Sequence, residues 1–318
     1  IIIRMKRTYF KKTKKLFAGL NAEKASGLSF SAAIVGQYIF LLIFLLAARL
    51  CGGLKEGYQE KDWFLYCSYL IPQAAFAATA YLYFSRTETR VKDVAKKPRA
   101  IYFCIAITLQ LGLLSLSSVN GLFLKWLEKF GYTPASPAVP SMSGAKIIPA
   151  ILVIAVLPAC FEELFFRGIL FRGMKKFGAV AAVLASAGLF ALYHQSPAQT
   201  IYQFICGACF ALIALRSGSI LPTVVSHFVN NALILILEAC GVQGLPLWLL
   251  IAFGVLLAGS LAYLLCFDGH IDGIVPEKNE EMQTVEAAKP KADAKGFVLY
   301  ALTGIILCAL NWISALVA

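Results

Sequence analysis

Residues 147–170 read IIPAILVIAVLPACFEELFFRGIL, and this stretch decides what kind of fold the chain adopts. A helix needs about 20 mostly apolar residues to cross a bilayer, and the stretch is that long. It also holds Glu162, Glu163 and Arg167 inside the apolar run. Charged side chains in the middle of a membrane are costly and usually face a cavity or one another. We therefore expect a helical bundle with ionisable groups in its interior.

The rest of the chain repeats the apolar pattern. Of its 318 residues, 59% are hydrophobic and 14% are charged, whereas soluble domains are about 45–50% apolar and about 25% charged. The runs long enough to span a bilayer are 29–50, 63–84, 100–124, 147–170, 178–196, 199–216, 219–240, 246–267 and 296–317. Allowing for one re-entrant or interfacial run, the sequence predicts an all-α, polytopic transmembrane helical bundle of about eight spans, within a range of seven to nine.

The basic residues are concentrated beside apolar runs. Eight Lys or Arg residues lie in the first 24 positions, and six more lie between Arg86 and Arg99. Cytoplasmic loops of membrane proteins carry such an excess, so the amino terminus is predicted to be cytoplasmic. The net charge of +12 is therefore explained without nucleic-acid binding, for which the sequence has no recognisable module.

The chain divides into four segments by composition. Residues 1–28 form a basic cytoplasmic or interfacial lead-in, and residues 29–267 form the transmembrane bundle. A polar linker at 268–295 separates this bundle in sequence from a last transmembrane helix at 296–318. His270 falls in the linker and is interpreted as a solvated loop residue.

The nine cysteines are interpreted as packing residues. Nearly all lie in or beside apolar runs, where a thiol behaves as a small hydrophobe. Cys206 and Cys209 form a CxxC pair, but they stand in the middle of an apolar run. That context favours packing over a redox or zinc role. No cleavable signal peptide is evident, because the first apolar run is long enough to span.

The motif EELFFR at 162–167 offers an ion pair and a second carboxylate. Glu163 and Arg167 are four residues apart, so they share a helix face and can pair. Glu162 lies about 100° round the helix from Glu163 and need not share that arginine. A carboxylate without a cationic partner can serve as a general base. The structural alternative is an ion-pair network that holds two helices together.

Two histidine motifs follow on the next helices. FALYH at 190–194 ends with His194, and HFVNN at 227–231 places His227 and Asn231 four apart on one face. An imidazole and an amide on one face can stabilise an oxyanion. Interhelical hydrogen bonding is the alternative. Taken together, two carboxylates, two imidazoles and an amide can activate water and hold a tetrahedral intermediate.

In this order on successive helices, EExxxR, FxxxH and HxxxN resemble the CAAX-protease and bacteriocin-processing family of intramembrane endopeptidases, which includes the type II CAAX prenyl endopeptidases. The resemblance covers about residues 147–240 and implies that they are the catalytic core of the bundle. It implies that Glu162 is the general base and that His194 holds or activates the water. It further implies that His227 and Asn231 stabilise the oxyanion, with Glu163 and Arg167 supporting the site.

The resemblance also bears on metals, partners and location. A zinc site needs three protein ligands, which Glu162, His194 and His227 can supply, but no HExxH places two ligands on one helix turn. We therefore favour a metal-free mechanism that requires no cofactor, with zinc as the alternative. The expected partners are membrane lipids and a peptide or protein substrate, either prenylated or a leader peptide. The expected location is a bacterial plasma membrane.

Two other functions are compatible with the same residues. A proton- or ion-coupled transporter could line its path with these charged side chains. Transporters often contain inverted repeats and broken helices, and the sequence shows no internal repeat. A non-catalytic membrane scaffold is the third possibility, which the completeness of the three motifs disfavours.

Overall fold

The described part of the protein is entirely helices and loops. A computed structural model describes residues 17, 19–134, 138–242, 244–268 and 292–317, and none of these residues lies in a strand. This confirms the predicted all-α class. Most of the basic lead-in, and most of the polar linker with His270, lie outside the described residues.

Nine long helices are present in the described residues. They are α1 (Ala22–Leu50), α2 (Asp62–Arg86), α3 (Ile101–Glu128), α4 (Gly144–Phe177), α5 (Ala179–Tyr193), α6 (Pro197–Ser217), α7 (Leu221–Ala239), α8 (Leu247–Phe267) and α9 (Ala294–Val317). Seven of them, all except α2 and α5, are long and apolar enough to cross a membrane. The predicted bundle of seven to nine spans is therefore confirmed.

The first helix begins earlier than the apolar run does. Asn21 caps α1 by accepting a hydrogen bond from the backbone N–H of Lys24, at 2.8 Å. This side chain satisfies one of the backbone donors that a helix start leaves free. Residues 22–28, assigned to the lead-in from their composition, are consequently the first two turns of α1.

The last helix packs closely against the first. Gly27 of α1 and Gly304 of α9 lie at the contact, where an added Cβ would come within 2.4 Å of the Phe297 carbonyl oxygen and 2.8 Å of the Phe30 ring, respectively. Only glycine fits at such distances. The Ser31 hydroxyl also donates to the Tyr300 carbonyl, at 2.7 Å.

Helices α4 and α5 form a hairpin that turns at Gly178, where φ is +91°. Glycine adopts this backbone conformation without strain. Helix α4 continues through 171–177, past the predicted end at 170, and α5 has only 15 residues. Glu162 and His194 are each sixteen positions from Gly178, so the two antiparallel helices carry them to about the same depth. A residue near the middle of α4 and a residue just after α5 can therefore line the same cavity.

The loops gather at two ends of the bundle. At the end that carries the 87–100 loop, the backbone N–H of Ile220 donates to the Val94 carbonyl at 2.9 Å. Lys176 of α4 also approaches Glu23 of α1 there, at 3.4 Å. Here too the pKa of Asp293, just before α9, is held below its ordinary value, first by a hydrogen bond from Asn21. We call this the 87–100 end.

The opposite end carries the 51–61 loop. Asp62, at the start of α2, accepts a hydrogen bond from the backbone N–H of Ser141 at 2.9 Å and pairs with Lys146 at 3.3 Å. The hydroxyl of Tyr69 donates to the Ala138 carbonyl at 3.0 Å. The starts of α2 and α4 therefore lie together at this end, which we call the 51–61 end.

Candidate active site

Glu162 is buried and only partly hydrogen-bonded. Its side chain lies on α4, and Oε1 accepts a hydrogen bond from Nε2 of Gln73 on α2, at 2.9 Å. Among the described residues, Oε2 has no hydrogen-bond partner, and it faces Nε2 of His227 at 3.9 Å. That separation is too long for a direct hydrogen bond. Gln73 therefore holds the Glu162 carboxylate in place through Oε1 and leaves Oε2 available for another hydrogen bond.

Glu163, the next residue on α4, anchors a charge cluster. Its Oε1 accepts from Nη1 of Arg167 at 2.8 Å, which confirms the pairing inferred from their spacing. The same oxygen lies 3.0 Å from Nδ1 of His227 on α7. An ionised carboxylate only accepts hydrogen bonds, so Nδ1 carries the proton in this contact. Glu163 thereby fixes the orientation of the His227 ring.

Arg167 is buried among aromatic rings. Its guanidinium carbon lies 4.5 Å from the ring centre of Phe190 and 5.2 Å from that of Phe210. Nη2 donates to the carbonyl of Gly207 on α6 at 3.0 Å. Cations are stabilised over aromatic faces, especially where water is excluded. Arg167 thus joins α4 to α5 and α6 beneath the carboxylates.

His194 follows the last residue of α5. Its Nδ1 lies 2.7 Å from the Phe190 carbonyl oxygen, and a carbonyl can only accept, so this ring nitrogen donates. Nε2 is then available to accept a hydrogen bond from water. No hydrogen bond joins His194 to Glu162 among the described residues; His227 is the imidazole that faces this carboxylate most closely.

Asn231 is placed by a proline on the facing helix. Proline lacks a backbone N–H, so the carbonyl four residues before it has no helical partner. In α4 this proline is Pro158, and the Ile154 carbonyl accepts a hydrogen bond from Nδ2 of Asn231 at 3.0 Å. The side-chain oxygen of Asn231 accepts from Asn230 at 2.9 Å. One N–H of the Asn231 amide is left for another acceptor.

A cavity of about 600 Å³ brings the predicted catalytic residues together. Glu162, His194, His227 and Asn231 all line it. Glu163 and Arg167 do not line it; Arg167 pairs with Glu163, and Glu163 contacts His227, which does line it. None of the described lining residues is Lys or Arg. The structure therefore assembles the six residues in one place, and their chemical roles stay predictions.

Sequence reasoning missed two polar residues of the site. Gln73 lies beside Pro72 in the apolar run of α2 and holds Glu162. Gln195 follows His194 and has a left-handed backbone, with φ at +52°. Strained residues of this kind cluster at functional sites. The signal for Gln73 was an amide in an apolar helix, but no motif on α2 distinguished it from an interhelical contact.

Glu162, His194 and His227 are the three side chains that could act as zinc ligands in the alternative mechanism. In the part of the chain that the structure describes, no three His, Cys, Asp or Glu side chains lie close enough together to hold a metal ion. Structural and catalytic zinc sites require such convergence. As placed, these three side chains do not form a zinc site, and metal dependence is a matter for experiment.

The fold and site define a polytopic helical membrane protein whose bundle holds a carboxylate, guanidinium and imidazole cluster at the base of a cavity. Residues 144–233, which carry all six site residues, match the family described as Type II CAAX prenyl endopeptidase Rce1-like. The match confirms the resemblance to CAAX-type intramembrane endopeptidases, and it spans less than a third of the chain. No curated protein and no solved structure matches this sequence.

Proposed function

We propose that this chain is an intramembrane endopeptidase that hydrolyses a peptide bond in a membrane-associated peptide or protein. The observation that carries the proposal is the free oxygen of Glu162. It is buried at the base of the cavity, fixed by Gln73 and separated from His227 Nε2 by 3.9 Å. This oxygen is therefore free to accept a hydrogen bond from a water in the cavity. The family match over the same helices supports peptide hydrolysis.

In the proposed mechanism, Glu162 takes a proton from water while the water oxygen attacks the carbonyl carbon of the peptide. His194, with Nε2 free to accept, holds this water. The C–N bond then breaks, and Glu162 delivers its proton to the departing amine. The products are one carboxyl and one amine terminus. General base catalysis of this kind contributes about 10²–10⁴-fold to a rate.

His227 and Asn231 are proposed to stabilise the oxyanion that forms during attack. Asn231 offers its remaining N–H, and His227 offers Nε2 when both ring nitrogens carry protons. Such preorganised donors act strongly where water is excluded. Glu163 and Arg167 position His227 and do not touch the reacting atoms. The mechanism uses no metal and no cofactor.

The cavity suits a short segment of polypeptide. Its lining mixes amide side chains, such as Gln37 and Gln203, with apolar residues, such as Ile234 and Leu235. Amides can hydrogen-bond a peptide backbone, and apolar walls suit a membrane-embedded segment. A leader peptide and a prenylated terminus both fit this description, so both belong in the first test.

The first prediction tests the activity directly. The purified full chain, in lipid nanodiscs, is incubated with quenched fluorescent peptides, including prenylated and leader-like ones, with and without EDTA. We expect cleavage that EDTA does not inhibit. Glu162→Gln and His194→Ala should each lower kcat by about 10²–10⁴-fold, because each loses a group that activates water.

Glu60→Gln is the matched control, since Glu60 is an exposed acid that does not line the cavity. All variants are compared by thermal melting, to show that they remain folded. Wild-type turnover in the Glu162→Gln variant would contradict the role of general base. Loss of activity in EDTA, restored by zinc, would contradict the metal-free mechanism.

A further inference from the structure

The cavity extends from the middle of the bundle to one end only. Beside the catalytic residues, its lining includes Tyr69 near the start of α2, Val139 in the loop before α4, and Glu238 near the end of α7. Tyr69 bonds the loop at Ala138, which belongs to the 51–61 end. No described lining residue comes from the 87–100 end. The cavity therefore opens toward the 51–61 end.

The two ends differ in their basic residues. Among the described residues, those at the 87–100 end are Lys24, Arg86, Arg90, Lys92, Lys96, Lys97, Arg99, Arg172, Lys175, Lys176, Arg216 and Lys295. Those at the 51–61 end are Arg49, Lys55, Lys61, Lys125, Lys129 and Lys146. Seven more precede α1 in the sequence, which starts at the 87–100 end. Basic residues thus mark the end opposite the cavity mouth.

We propose that the cavity opens on the non-cytoplasmic face of the membrane. Loops rich in Lys and Arg stay in the cytoplasm, and the bias is counted on basic residues rather than on net charge. This rule places the 87–100 end in the cytoplasm. The mouth of the cavity, at the other end, then faces outward.

The orientation selects a substrate class, and this step rests on the proposed function. A peptide segment that enters from the non-cytoplasmic face belongs to an exported or membrane-inserted polypeptide, such as a leader that remains in the membrane after export. The terminus of a protein that stays in the cytoplasm approaches from the opposite face. The substrate is therefore an extracytoplasmic peptide segment.

Two native cysteines make the orientation measurable. Cys51 directly follows α1 and Cys240 directly follows α7, both are exposed, and both lie at the 51–61 end. Lys96 is exposed in the loop of the opposite end, so Lys96→Cys adds a probe there. Spheroplasts that express the full chain are treated with a membrane-impermeant maleimide, before or after permeabilisation. Mass spectrometry of peptides then identifies the labelled sites.

We expect Cys51 and Cys240 to be labelled in intact spheroplasts, and the cysteine at position 96 to be labelled only after permeabilisation. Cys51→Ala and Cys240→Ala should each lose one of the labelled peptides. Labelling at position 96 in intact spheroplasts, with Cys51 and Cys240 protected, would overturn the proposal. This readout does not depend on catalysis, so a failure of the proposed function leaves it interpretable.

A second arm tests the substrate class. A quenched peptide that the purified protein cleaves is supplied outside intact spheroplasts and outside inverted vesicles. We expect intact spheroplasts to cleave the peptide. Sealed inverted vesicles should not cleave it. The reverse pattern would contradict an extracytoplasmic substrate, even where the purified enzyme is active. Glu162→Gln spheroplasts control for cleavage by other proteases.

Discussion

At the residue scale, the Glu163 and Arg167 pair shows how a membrane interior tolerates charge. Both side chains are fully buried and lie 2.8 Å apart, and Glu163 also accepts a hydrogen bond from His227. Taking two charges out of water is costly, and their attraction offsets the cost only with good geometry and further hydrogen bonds. The carbonyl of Gly207 and the ring of Phe190 provide those further contacts for Arg167.

Removing one partner of this pair should therefore be strongly destabilising. Arg167→Met leaves the Glu163 carboxylate buried without its cation, and we expect the free energy of unfolding to fall by about 3–5 kcal/mol. Equilibrium unfolding in mixed micelles measures the change. Adding Glu163→Gln should recover part of the loss, because no unpaired charge then remains. A double variant that is less stable than Arg167→Met would contradict the account.

Asn231 is held by the carbonyl that Pro158 leaves free, so its amide is fixed before substrate binds. We expect Asn231→Ala to lower kcat by about 10²–10³-fold, as is typical when an oxyanion donor is removed. Steady-state kinetics on a cleaved peptide separates kcat from KM. Ile234→Ala removes a lining side chain that has no donor, and it should change KM more than kcat. Equal kcat values for the two variants would contradict the assigned donor.

At the scale of the element, the length of α5 determines the depth at which the site forms. It is too short to cross the bilayer, so His194 and the loop after it lie at mid-depth beside Glu162. Irregular backbone is tolerated at that depth only where it is buried or lines a water-filled cavity. The length of α5, rather than the chemistry of its residues, brings the imidazole to the carboxylate.

Helix α9 supports the loop that follows α5. Nδ2 of Asn311 donates to Oε1 of Gln195, and Nε1 of Trp312 donates to the Thr200 hydroxyl at 2.7 Å. The amide of Gln195 also approaches the Cys308 sulfur, at 3.7 Å. These contacts come from a helix beyond the family match, which ends at residue 233. The side chain of Gln195 is therefore held by a distant part of the chain.

We expect Asn311→Leu to lower kcat by roughly ten- to hundredfold, because small misplacements of catalytic groups are costly. Peptide cleavage kinetics measures this effect. The matched control is Leu310→Ala, since Leu310 is an exposed apolar residue one position away on the same helix, and it should leave kcat unchanged. Rescue by Asn311→Gln would show that the donor matters. Full activity in Asn311→Leu would contradict a positioning role for α9.

At the scale of the whole molecule, most of the basic residues and the mouth of the cavity lie at opposite ends of the bundle. The basic loops gather at the 87–100 end, whereas the cavity mouth lies at the 51–61 end. Basic residues orient membrane proteins during insertion, so in the proposed orientation the same distribution also determines which face the site serves. The orientation experiment therefore tests a property of the entire bundle and not of the catalytic residues.

The class of fold was predictable from the sequence because the bilayer imposes it locally. A run of about 20 apolar residues must satisfy its backbone within one helix, whatever the rest of the chain does. The pairing of Glu163 with Arg167 was predictable for the same reason, since a spacing of four residues fixes a shared face. Glu162, His194, His227 and Asn231 were recognisable as polar groups that are costly in an apolar setting.

Only the tertiary structure decided what surrounds these residues. Gln73 on α2 contacts Glu162, and Asn311 on α9 contacts Gln195, from helices far apart in sequence, and no local spacing encodes such contacts. The depth of His194 depended on where α4 ends and on how short α5 is, and helix ends are set by packing as well as by composition. The direction in which the cavity opens likewise depends on how the nine long helices of the described residues pack side by side.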